Sequence, residues 1–292
     1  MNAGSDPRVK QVGTWSFLLL AVGLTWLFWI PAVQVSDGAW RWATLPLIVL
    51  GGAMPLLAVG VTLRRSVSRG GRQEFWQRVV DGRKIGHVWW GVILLSAPVI
   101  TALAGVSDLL AGGSGAALGE PAVRAAVQPL TLVPFLLMVL VFGPLPEEIA
   151  WRGYALDRLL ETRSMLTASV AIWGVWAVWH LPLFLVSGTY QEQLGLGTLA
   201  FWLYLAEMLP RSVVMTWVFL NTSRSTLAMI LFHFAVNAVG ELFELSPRGT
   251  VFQGGLWLLL ALVVMALWRD EPATSDPERP GAGSGGFGRV SD

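Results

Sequence analysis

Charged residues are so sparse in this chain that the uncharged intervals between them set out its architecture. Such intervals run at 11–36, 42–63, 85–107, 125–146, 164–191 and 249–268, each near the roughly 20 residues a helix needs to cross a bilayer. Two further apolar stretches carry internal charge: 198–221 holds Glu207 and Arg211, and 225–243 holds His233 and Glu241. The pattern predicts eight membrane-spanning helices and no sheet, an all-α polytopic membrane protein. The first span, near Trp15 to Val33, is too long for a signal peptide and lacks a small-residue cleavage pattern, so it is expected to be retained. Residues 111–122, "AGGSGAALGEPA", read as a flexible loop, and the stretch from Arg269 onward, rich in Pro, Gly, Ser and charge, reads as a disordered tail.

Composition supports the membrane assignment: the chain is 54% hydrophobic and only 13% charged, with a mean hydropathy of +0.60. Charge also orients it. With the N-terminus placed inside, sixteen of the twenty Lys and Arg fall on one side, among them the cluster Arg64, Arg65, Arg69, Arg72, Arg78, Arg83 and Lys84. The opposite loops hold only Arg41, Arg124 and Arg248, with Arg211 inside a span. By the positive-inside rule both termini are cytoplasmic. The basic 64–87 loop is thereby explained by sidedness, and no nucleic-acid partner is expected. The chain has no cysteine, which excludes disulfides, thiolate nucleophiles and cysteine metal sites.

Against this background "GPLPEEIAWRGYALDRL" at 143–159 stands out. A charged side chain at mid-bilayer costs about 2.5–3.5 kcal/mol on insertion scales, so Glu147, Glu148 and Arg152, left unpaired, would cost on the order of 8–10 kcal/mol together. Glu148 and Arg152 are four apart and share a helix face where they can pair, whereas Glu147 points about 100° away, toward another partner. Pro144 and Pro146 interrupt the preceding helix and favour a fresh start.

The remaining polar residues of the spans strengthen the case for a site. His180 in "WAVWHLPLF" and His233 in "FHFAVNA" are two of the three histidines. His233 and Asn237 share one helix face, and Trp176 sits one turn before His180. Intramembrane ionisable groups usually face the bundle interior and mark a functional site. Carboxylates, imidazoles and an amide are also what hydrolysis needs: a base for water, and donors for the oxyanion. Glu207 and Arg211, four apart beside Pro210, read as a structural pair.

These residues resemble the motifs of the CPBP family, which includes the type II CAAX endopeptidases and lysostaphin-resistance-like proteins. Glu147, Glu148 and Arg152 match EExxxR; "WAVWH" at 176–180 matches FxxxH with Trp176 in place of Phe; "HFAVN" at 233–237 matches HxxxN. The resemblance implies an intramembrane endopeptidase core at 130–243, opening to the cytoplasm from a prokaryotic plasma membrane. It follows N-terminal spans at 15–129 and precedes a last helix at 244–268; residues 1–14 and 269–292 form cytoplasmic termini. On this reading Glu147 with His180 activates water, His233 and Asn237 stabilise the oxyanion, Glu148 and Arg152 brace the site, and Trp176 shapes the pocket. The substrate would be a membrane-anchored peptide or protein, CAAX-like or lipidated. A metal-free, glutamate-dependent mechanism is preferred because there is no HExxH pattern and the His–Asn pair suits hydrogen-bond donation; zinc on Glu147, His180 and His233 is the alternative. Two other functions compete, a non-catalytic scaffold or bacteriocin-immunity protein and a transporter, though the internal repeats typical of transporters are missing.

One geometric requirement follows. If the helix carrying Glu147 left the membrane near Arg152, Glu147 would lie about 7 Å deep, while His180, on a helix entering at Met165, would lie about 22 Å deep. The two meet only if the helix continues through Leu160 and the next span enters nearer Val170. "GYALDRLLET" is therefore expected to be helical and partly buried.

Overall fold

The computed structural model describes residues 13–35 and 38–268; the expectations for residues 1–12 and for the tail from 269 lie outside these. All eight apolar stretches are helical. In chain order, α1 (Thr14–Val35), α2 (Leu45–Ser66), α3 (Arg69–Val80) and α4 (His87–Leu110) are followed by strand β1 (Ala116–Leu118) and α5 (Glu120–Val127). Next come α6 (Leu132–Phe142), α7 (Pro144–Glu148), a π-helical segment Ile149–Leu156 and α8 (Asp157–Leu159). The remainder comprises α9 (Met165–His180), α10 (Tyr190–Leu194), α11 (Leu199–Asn221), α12 (Thr226–Leu242), β2 (Phe243–Leu245) and α13 (Pro247–Leu267). Among the described residues seven spans have the length and apolarity to cross a membrane, the fourth being the composite Pro129–Leu159, and α12 is a shorter apolar helix. Large apolar side chains such as Leu19, Leu137, Leu258 and Leu262 point outward, as the hydrocarbon solvent of an integral membrane protein permits.

Helix α12 runs through the middle, in contact with α3, α4, α6, α7 and α11. Around it the helices are joined by small residues and hydroxyls. Ser169 of α9 donates to Thr216 of α11 at 2.8 Å, and Ser212 donates back to the Ser169 carbonyl at 2.9 Å, the close polar packing that membrane helices use in place of a hydrophobic driving force. On the other flank Thr25 of α1 donates to the Gly51 carbonyl at 2.9 Å and accepts from Trp179 Nε1 of α9 at 2.8 Å. Trp29 Nε1 donates to the Ile48 carbonyl at 3.0 Å. Its indole lies directly on Gly51, where a Cβ would stand 2.3 Å from the ring.

Three details differ from the sequence expectations. The basic 64–87 segment is not simply a loop, since it contains α3, capped where Ser68 accepts from the Gly71 N–H at 3.2 Å. After α3, Arg83 donates to Asp81 from both backbone and side chain and holds that carboxyl down at about 2. The 111–122 segment is also ordered. Asp108 accepts from the Gly115 N–H, Ser246 and Arg248 at 2.7–2.9 Å, and this clasp brings Ala116–Leu118 into antiparallel register with Phe243–Leu245. Finally, α9 starts earlier than expected, while the fourth span runs past 146 as expected. It continues to Leu159, and Gly153 to Asp157 are buried, as the depth requirement demanded, although α9 begins at Met165 and not nearer Val170. Glu147 is then about 18 Å from the end of its helix and His180 about 22 Å from the start of α9, so the two reach similar depths.

The end of this helix is anchored electrostatically. Asp157, fully buried, accepts from Arg78 of α3 at 3.0 Å and from Arg224, in the positive-φ turn before α12, at 2.8 Å. Because no rearrangement short of moving Trp29 admits a methyl at Gly51, Gly51→Ala is expected to destabilise the α1–α2 packing by about 1–3 kcal/mol. Thermal unfolding in detergent, compared with Gly52→Ala where the added methyl meets nothing, checks this.

Candidate active site

The site is built where the fourth span breaks and restarts. At Gly143 (φ −137, ψ −90) α6 ends, and Pro144 opens the next helix, where its missing N–H costs nothing. Glu147 falls in the first turn of that helix, a position in which the helix dipole favours a carboxylate. The chain then widens into π-helix over eight wholly buried residues. Such i→i+5 turns are uncommon and recur at functional sites.

Glu148 is the electrostatic centre. Its Oε1 accepts from Arg152 Nη1 at 2.8 Å and from His233 Nδ1 at 2.8 Å. The Glu148 and Arg152 side chains are both 0% exposed, so the expected pairing is present, with His233 of α12 as a third member. The Arg152 guanidinium also lies over the Trp176 ring at 4.5 Å, within cation–π range.

Glu147, turned the other way, accepts a 2.5 Å bond at Oε2 from Trp176 Nε1. The Trp176 carbonyl in turn accepts from His180 Nδ1 at 2.8 Å. Since a carbonyl can only accept, Nδ1 carries the proton, and in the neutral ring Nε2 presents its lone pair. The Trp176 ring is 5.9 Å from His180 and meets His233 edge-on at 5.3 Å. One buried tryptophan thus touches Glu147, Arg152, His180 and His233. Glu147 and His233 are also within electrostatic range of His180. Asn237 closes the ring of groups: the point that a methyl on Gly143 would occupy lies 3.5 Å from Asn237 Nδ2 and 3.8 Å from Glu147 Oε1.

All seven residues singled out from the sequence therefore lie together, brought from the 143–159 helix, α9 and α12. The sequence reading gave Trp176 only a role in pocket shape; here its N–H bonds the carboxylate itself. His233 is tied to Glu148 as well as sharing a helix with Asn237. Tyr204 of α11, its ring 6.0 Å from that of His180, was missed. Its signal was faint, because a tyrosine three residues before Glu207 looks like an ordinary aromatic in an apolar span. Glu207 and Arg211 do pair, at 2.9 Å. Among the described residues no three His, Asp or Glu side chains are arranged to hold a metal ion. Each residue of the zinc alternative, Glu147, His180 and His233, has one polar atom in a hydrogen bond, to the indole, the Trp176 carbonyl and Glu148 respectively, and keeps its other for a metal or for acid–base work.

Residues 129–239 match the family model described as type II CAAX prenyl endopeptidase Rce1-like. The chain is also 25% identical over 252 residues to the CAAX prenyl protease 2 of Methanococcus maripaludis, covering 85% of this chain and 92% of that protein. The resemblance read from the three motifs is borne out by both comparisons.

Removing the Glu148 carboxylate strands Arg152 and His233 in a buried setting. Glu148→Ala is expected to lower stability by about 3–5 kcal/mol, whereas Glu147→Gln, which keeps an acceptor for Trp176, is expected to cost less than about 1.5 kcal/mol. Unfolding of the two variants in the same detergent separates these outcomes.

Proposed function

On the similarity of residues 129–239 to the type II CAAX prenyl endopeptidases, we propose that this integral membrane protein is an intramembrane endopeptidase using a glutamate-activated water. The observation that carries the reading is the meeting of Glu147, His180, His233 and Asn237 around Trp176 and Gly143. Glu147 Oε1, on the side away from the indole, takes a proton from water, with the His180 Nε2 lone pair orienting the same molecule. The water oxygen adds to the scissile carbonyl. His233, its Nδ1–H given to Glu148, offers Nε2–H when protonated, and together with Asn237 Nδ2 it stabilises the oxyanion. The carbon–nitrogen bond then breaks as the proton on Glu147 passes to the leaving nitrogen, yielding a carboxylic acid and an amine, and the acid's proton moves to the amine to leave carboxylate and ammonium. Glu148 and Arg152 hold His233 and the π-segment in place.

The substrate on this reading is a membrane-anchored peptide or protein bearing an apolar group near the cut, in keeping with the prenylated CAAX ends named for the relatives. An apolar groove of about 430 Å³, lined by Trp26, Ile30, Val33, Leu181, Pro182 and Leu185, supports such an anchor. It does not contain the polar cluster but borders it through Leu181, the neighbour of His180. With the termini inside, the sorting of basic residues sets this groove, at the far ends of α1 and α9, toward the non-cytoplasmic half of the bilayer.

A farnesylated peptide ending in a CAAX sequence, presented in detergent with purified protein, tests this reading. The wild type is expected to release the C-terminal fragment, and Glu147→Gln and His180→Ala to lower kcat by about 10²–10⁴-fold while remaining folded. Cleavage by Glu147→Gln at the wild-type rate would overturn the glutamate mechanism, and no cleavage by the wild type would favour a scaffold or transporter role. Because no step runs through a metal, activity is expected to survive dialysis against a chelator, with no stoichiometric zinc by elemental analysis.

A further inference from the structure

The proposed chemistry uses nothing from α11, yet α11 sends one polar side chain to the site. The Tyr204 ring packs edge-on against His180 at 6.0 Å and against Phe184 at 5.7 Å, and stands 6.1 Å from Tyr190. Its hydroxyl accepts from Gln191 Nε2 at 3.3 Å and lies in electrostatic range of Glu147. Phe184, Tyr190 and Gln191 belong to the 181–198 segment that joins α9 to α11, so His180 is continuous with one wall of this aromatic box. A phenol among apolar groups normally satisfies both its lone pair and its proton. Here the lone pair is met by Gln191, but among the described residues no acceptor takes the proton. Neither Tyr204 nor Gln191 is fully buried, so the box is open to an incoming chain.

Resting on the peptidase reading above, we infer that Tyr204 is a substrate-binding residue, its hydroxyl aimed by Gln191 to donate to a main-chain carbonyl of the peptide beside the scissile bond. The ring, with Phe184 and Tyr190, receives the apolar side chain that flanks the cut. The ligand class is thus an extended, uncharged peptide segment. Glu207 and Arg211 lie further along α11 and neutralise one another at 2.9 Å, so the box presents no unbalanced cation for a carboxylate. A hydroxyl and aromatic faces select main chain and apolar side chains instead.

The decisive measurement is binding to an inactive background, which does not depend on hydrolysis. With the farnesylated CAAX peptide carrying a fluorophore, Tyr204→Phe and Gln191→Leu are each placed in Glu147→Gln protein and titrated by anisotropy. Loss of one neutral hydrogen bond is expected to weaken binding about 5- to 10-fold for Tyr204→Phe and less for Gln191→Leu. In the active protein Tyr204→Phe is expected to raise KM by a similar factor with kcat held within about 2-fold. A peptide with alanine in place of the apolar residues flanking the cut is expected to be insensitive to Tyr190→Ala, whereas the parent peptide is not. Unchanged Kd and KM in Tyr204→Phe would overturn the inference, as would a fall in kcat alone, which would make Tyr204 a partner of His180. If the peptide binds with the expected sensitivity but the wild type does not cut it, the peptidase reading fails and the binding assignment stands.

Discussion

The site depends on keeping charge paired inside a protein whose surroundings cannot solvate it. Glu148 is the pivot: with Arg152 on its own helix and His233 on another, it turns an intramembrane carboxylate from a liability into a tether between two helices. The same logic recurs at Asp157, which draws α3 and the turn before α12 onto the end of the Glu147 helix. It recurs again at Asp108, where a clasp with Arg248 and Ser246 organises the far end of the bundle. Glu148 and Asp157 together hold α12 and the 143–159 helix in a fixed relation, and the relation of those two elements is what the candidate chemistry requires.

Trp176 adds a second kind of control. An aromatic ring in a membrane bundle is ordinarily a packing element, but this one presents an N–H to Glu147, a carbonyl to His180, a π-face to Arg152 and an edge neighbour to His233. Occupying Oε2 leaves Oε1 as the atom of Glu147 without a partner in the bond. In the proposed chemistry the bond divides the carboxylate into a held half and a working half, a form of preorganisation that costs no rearrangement. The π-helical stretch that follows is buried along its whole length.

Much of the molecule was legible without coordinates, because a bilayer imposes strong and simple rules. The six intervals free of charge had to hold helices of spanning length, and each does; of the two charged stretches, 198–221 also spans and 225–243 folds as the shorter α12. Polar residues placed at such depth needed partners, and the four-residue spacing of Glu148 and Arg152, and of Glu207 and Arg211, identified two pairs that exist. Even the continuation of helix beyond Arg152 could be demanded from depth alone, since carboxylate and imidazole otherwise miss one another by most of a leaflet.

What the linear order could not supply was every contact made between elements far apart in the chain. The bond from Trp176 to Glu147, the tie from His233 to Glu148, the approach of Tyr204 to His180 and the pairing of Ala116–Leu118 with Phe243–Leu245 each depend on how helices are rotated and stacked. Hydropathy and spacing define which residues lie along a helix and on which of its faces. They carry no information about which neighbour that face meets, because apolar side chains pack against lipid and against one another with nearly equal ease. Chain composition thus determined the solvent, the spans and the inventory of polar groups. Only the tertiary packing decided which of those groups share a hydrogen bond.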